Sequence, residues 1–98
     1  MITDILYEHN PAPGKLDVLG VEEWPIWEKE PSEFDWTYDR QEVCYILEGK
    51  FIVTPEGGEP LEFNRGDFIT FPKGMNCRWK VIEFVSKHYR FEDVVSGF

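Results

Sequence analysis

From about residue 24 onward, apolar and polar residues alternate in short runs that turn-forming residues interrupt every few positions. A period of two places alternate side chains on one face, and several short runs of this kind predict an all-β sandwich or barrel. Strands are predicted over Trp24–Lys29, Glu33–Tyr38, Glu42–Leu47, Lys50–Thr54, Pro60–Phe63, Phe68–Phe71, Cys77–Val85 and Lys87–Phe91. The punctuation supports antiparallel connections. Glu48-Gly49 predicts a tight joint between two strands and Pro55-Glu56-Gly57-Gly58 a hairpin loop; Asn64-Arg65-Gly66-Asp67 and Pro72-Lys73-Gly74 predict later turns. The first twenty residues are less regular. Ile2–Glu8 reads as an edge strand, Asn10-Pro11-Ala12-Pro13-Gly14 as a loop, and Leu16–Leu19 as a short turn of helix. With no linker or repeat, residues 1–98 are expected to form one domain: an N-terminal extension (1–23), a barrel core (24–91) and a short tail (92–98).

Composition narrows the partners. Four Trp, eight Phe and four Tyr supply large side chains to fill a small interior. The net charge of −9, from 19 acidic and 10 basic residues, repels phosphate backbones and anionic membranes, so neither nucleic acid nor membrane is an expected partner. No apolar run approaches the roughly 20 residues that span a bilayer, and Met1–Tyr7 lacks the basic region of an export signal. A cytoplasmic location is therefore expected, where Cys44 and Cys77 stay reduced.

Two spaced motifs go further. Glu42 lies seven positions before Gly49, and Gly66, Pro72, Gly74 and Cys77 follow as Gly, five residues, Pro, one residue, Gly, two residues, Cys. In glycines, proline and glutamate this spacing resembles the two motifs of the cupin superfamily, and Trp24-Pro25-Ile26-Trp27-Glu28 is similar to small single-domain cupins related to the ureidoglycine aminohydrolase cupin domain. The resemblance implies an antiparallel jelly-roll β-barrel, the RmlC-like double-stranded β-helix. It also exposes a departure. Where cupins keep histidine ligands, this chain has Trp36 and Tyr38 (or Asp35 and Thr37, with the alternative spacing) and Cys77. His9 and His88 are the only two histidines, so a three-histidine metal centre cannot be built and no cofactor is expected. A substitute metal would be held by Glu42, Cys77 and His88, with Cys44 or Tyr38 as a further donor, a mixed set suited to zinc.

Strand alternation puts Glu42, Cys44 and Ile46 on one inner face, and Cys77, Trp79 and Val81 on another. A pocket lined by Trp36, Tyr38, Glu42, Cys44, Cys77 and Trp79 follows, with Trp24 and Trp27 as further stacking walls for a planar ligand. Glu42 among aromatics would be desolvated and its pKa raised, fitting it to act as an acid or base. Alternatively it is a satisfied buried acid, bonded by Tyr38 or Tyr45 or paired with Arg78 or Arg90. Cys77 is a candidate nucleophile with His88 as base, or a small apolar core residue. The leading expectation is a metal-independent cupin that binds a small molecule inside the barrel. Contrasting expectations are an enzyme resembling ureidoglycine aminohydrolases, with Glu42 as acid, base or metal ligand, and a self-assembling or protein-interaction domain forming a homodimer through a sheet edge.

Overall fold

The computed structural model describes residues 4–92. Among the described residues there are seven strands: β1 (Leu6–His9), β2 (Ile26–Lys29), β3 (Ser32–Thr37), β4 (Gln41–Pro55), β5 (Leu61–Asn64), β6 (Asp67–Phe71) and β7 (Asn76–Glu92). One helix, α1 (Pro13–Leu19), and a short 3₁₀ turn over Val21–Glu23 precede β2. Every strand pairing is antiparallel. The all-β jelly-roll architecture expected from the motifs is therefore the one observed.

Two long, bent strands organise the molecule. β4 and β7 pair along almost their full lengths, from Gln41 opposite Glu92 to Pro55 opposite Cys77. The first half of β4 pairs with β6 and the second half with β5; likewise β2 joins one half of β7 and β3 the other. Each long strand thus belongs to two sheets, β1-β6-β4-β7-β2 on one side and β5-β4-β7-β3 on the other. The bend coincides with register shifts between Ile46 and Phe51. Inner residues of β4 are Glu42, Cys44 and Ile46 before the bend, then Phe51, Val53 and Pro55 after it, so the inward phase slips by one residue.

This corrects the expectation of a tight joint at Glu48-Gly49. Gly49 does take a positive φ of 107°, but it sits inside a continuous strand as a bulge, because the backbone of Phe84 and Val85 on β7 passes too close for any side chain. The break predicted at Ser86 is likewise absent, and β7 runs unbroken. At the N-terminus, α1 starts earlier than expected, at Pro13, whose fixed φ suits the first helical turn. The expected edge strand is seen over Leu6–His9, paired to β6; its predicted first residues Ile2 and Thr3 lie outside the described residues, as does most of the tail. Among the described residues, no helix is long and apolar enough to cross a membrane.

The interior is aromatic. Phe51 stacks on Trp79 with ring centroids 4.4 Å apart, and Tyr38 stacks on Phe71 at 4.8 Å. Such pairs add about 0.5–1.5 kcal/mol each beyond the area they bury. They sit in the main core cluster with Ile46, Val53, Phe63, Ile69, Met75 and Val85. A smaller cluster of Val21, Trp24, Val43 and Phe68 fastens α1 and the 3₁₀ turn against the outer face of the β6-β4-β7 sheet.

Candidate functional site

A cavity of about 170 Å³ lies among residues of β2, β3, β4 and β7. β2 supplies Trp27, β3 supplies Phe34 and Trp36, and Tyr38 follows directly after β3. Glu42 comes from β4, and β7 contributes Trp79, Lys87, Tyr89 and Phe91. Alternation explains the set: Phe34, Trp36 and Tyr38 share one phase of their segment, and Trp79, Lys87, Tyr89 and Phe91 share one phase of β7. Asp35 and Thr37 take the opposite phase and border a separate, polar cleft outside the barrel.

The floor of the cavity carries an ion pair. Lys87 Nζ donates to Glu42 Oε2 at 2.5 Å, and both side chains are buried, at 5% and 7% exposure. Lys87 Nζ also lies over the rings of Trp27 at 4.9 Å, Trp79 at 5.0 Å and Phe71 at 5.8 Å. Ring quadrupoles thus offset part of the cost of taking the ammonium out of water, and the carboxylate offsets more. Beside the pair, Trp79 Nε1 donates to Tyr38 Oη at 3.2 Å. Burial pushes the Tyr38 phenol well above its usual range, reinforced by the Glu42 charge, so Tyr38 is a neutral hydroxyl at any ordinary pH. No buried side-chain nitrogen or oxygen of the described residues lacks a partner.

Of the six residues expected to line the pocket, Trp36, Tyr38, Glu42 and Trp79 do so. Cys44 and Cys77 are not among its lining. Cys44 is fully buried in the main core, where burial raises its thiol to about 12. Cys77 belongs to the same core cluster, its thiol lies 3.6 Å from the Trp36 carbonyl, and burial raises it to about 11. Such a thiol is almost entirely protonated at neutral pH and is a poor nucleophile.

His88 is placed away from both candidates it was paired with. It shares the phase of β7 opposite to Lys87 and Tyr89, and its Nδ1 bonds to the Trp24 carbonyl oxygen at 2.9 Å on the outer side. Glu42, Cys77 and His88 therefore do not converge, and no group of three His, Cys, Asp or Glu among the described residues is placed to hold a metal ion. At the positions where cupins carry ligands stand two aromatic rings and a protonated thiol, while the carboxylate of Glu42 faces an ammonium. The residues present do not fit the metal centre of the fold family.

Lys87 was missed by the sequence reading, which sought a partner for Glu42 in Arg78 or Arg90. Arg78 instead bonds Glu33 and Asp35, and Arg90 bonds Glu92 and lies over the Trp24 ring. The signal was present: continuing the inward phase of Cys77, Trp79 and Val81 in steps of two reaches Val85, Lys87 and Tyr89. Assuming a strand break at Ser86 hid it.

Comparison with known proteins agrees with this architecture. A DUF861 family protein from Thermotoga maritima is 57% identical, with a TM-score of 0.88 over 91% of this chain and 100% of that one. A putative ethanolamine utilization protein Q from Salmonella typhimurium is 27% identical over 67% of this chain and 53% of its own, with a TM-score of 0.61. The EutQ protein of Clostridium difficile, at 24% identity and a TM-score of 0.63, shares the fold over 69% of this chain and 53% of its own. The chain thus spans about half the length of these two ethanolamine utilization proteins. Among curated proteins none matches. The profile of the EutQ-like cupin domain matches residues 16–89, the stretch running from α1 to the pocket-lining end of β7. The chain belongs to the EutQ-like cupin domain family.

Proposed function

We propose that this domain is a metal-independent cupin that binds a small molecule in the aromatic-walled mouth of its barrel. The observation that carries the reading is the cavity: walls made mainly of aromatic rings, with the paired Glu42 and Lys87 as its charged groups. Small-molecule sites have this composition, apolar walls with a few fixed polar groups to orient the ligand. At about 170 Å³ the cavity is smaller than the roughly 300–1,000 Å³ of drug-sized sites, which fits a ligand no larger than one or two rings. Metal independence is supported by the donor set, since Lys87 already supplies a cation to Glu42.

A catalytic reading, with Glu42 as acid or base as in the ureidoglycine aminohydrolase cupins, rests on the same carboxylate. Its engagement by Lys87 favours binding without turnover. The test is titration of chelator-treated protein with small aromatic probes, toluene and phenol, followed by the indole NMR signals of Trp27, Trp36 and Trp79. Saturable shifts at these three, unchanged by adding zinc or manganese, are expected. Shifts that appear only with metal would overturn metal independence, and no shift with any probe would overturn the binding reading.

A further inference from the structure

Glu42 and Lys87 are the two charged residues that line the cavity, and each neutralises the other. We propose that this pair makes the pocket a charge filter, selecting small, flat, electrically neutral molecules that carry an adjacent hydrogen-bond donor and acceptor, such as an aromatic or unsaturated carboxamide, urea or lactam. The inference rests on the small-molecule-binding reading and adds the ligand class to it.

The argument begins with unused bonding capacity. An ammonium has three N–H donors and a carboxylate accepts at about four lone-pair sites. The observed bond between Nζ and Oε2 uses one of each. A ligand carbonyl can therefore take a second Lys87 N–H while a neighbouring ligand N–H donates to the Glu42 carboxylate. Both bonds involve a charged partner, which makes them stronger than neutral ones.

Ions lack this fit. A ligand carboxylate drawn to Lys87 must approach the Glu42 carboxylate, and a ligand ammonium drawn to Glu42 must approach Lys87. In a buried, aromatic-walled site such like-charge encounters are weakly screened. The aromatic faces nearest Lys87 Nζ, Trp27 and Trp79, are already engaged with an internal cation, so they offer an incoming one less than an empty aromatic cage would. A flat, ring-like body suits a small cavity whose lining is made mainly of aromatic side chains.

Benzamide, benzoate and benzamidine have nearly the same shape and carry charges of zero, minus one and plus one, which makes them a direct probe. Measured by NMR titration and calorimetry on the wild-type protein, benzamide should bind at least about tenfold more tightly than either ion, the order expected from like-charge penalties at a desolvated site. Benzoate or benzamidine binding as tightly as benzamide overturns the proposal. Glu42→Gln leaves Lys87 unopposed and should turn preference to benzoate, whereas Lys87→Met should turn it to benzamidine; folded variants with unchanged preference also overturn it. Toluene that binds while benzamide does not leaves the pocket reading standing and removes the charge filter. Silence from all four probes removes both.

Discussion

Lys87 shows how much one side chain decides. Removing one member of a buried ion pair leaves the other charge unpaired in a poor solvent, at a cost of about 3–5 kcal/mol. Lys87→Met is expected to lower unfolding free energy by this order in urea titrations. Glu42→Gln should cost less, because the ammonium keeps its contacts with Trp27, Trp79 and Phe71. Replacing both, as Glu42→Leu with Lys87→Met, should recover most of the loss, since apolar substitution of a whole buried pair is often neutral or stabilising. The thiols give a second expectation. Burial raises the Cys44 thiol to about 12, so as pH rises from the ordinary thiol range towards that point the unfolded chain releases a proton that the folded one retains. Stability attributable to Cys44 is therefore complete below about pH 8.5 and falls as pH rises above it. Cys77, raised to about 11, acts in the same direction. Alkylation of the native protein at pH 7.5 should be about a hundredfold or more slower than for an ordinary thiol of pKa near 8.5. Much at this scale was legible: alternation alone put Trp36, Tyr38, Glu42 and Trp79 towards one cavity. Alternation fixes a face but not a depth along it, so the same argument also placed Cys44 and Cys77 there, while Tyr38 and the core packing set them apart.

At the level of elements, glycines report what passes beside them. A Cβ on Gly49 would lie 2.3 Å from the Phe84 carbonyl oxygen and 2.8 Å from the Val85 Cα, backbone atoms of β7 that cannot give way. On Gly66 it would meet the Asn10 side-chain oxygen at 2.4 Å, and a side chain can move. Both glycines also have positive φ. Gly49→Ala should therefore cost several kcal/mol or prevent folding, whereas Gly66→Ala should cost more than about 1 kcal/mol and leave a folded protein with a displaced Asn10 loop. Thermal melts of the two variants would separate them. The strands themselves were readable to within a few residues from runs and turn residues. What the sequence hides is the difference between a turn and a bulge, because glycine marks both by the same freedom in φ; only the opposing strand decides which is meant.

For the whole molecule, charge sets an expectation that no single contact does. A net charge of −9 on 98 residues favours expansion through self-repulsion, so raising sodium chloride from about 10 to 150 mM should raise the melting temperature, while the buried Glu42–Lys87 pair is screened far less. A melting temperature that falls over this range would contradict it. The overall architecture was legible because spaced glycines and prolines mark corners; the ligand was not, because one fold hosts many chemistries and only the assembled pocket narrows them. Finally, the corner where β4 leaves one sheet for the other rests on the slip of its inward phase between Ile46 and Phe51. Shorten that stretch by a single residue and β4 would alternate without interruption from Glu42 to Val53, a pattern well suited to a straight ribbon in one plane. The closure of the molecule is in this sense one residue wide: the odd residue that looks like an error of spacing is what tells the chain to turn back over its own core.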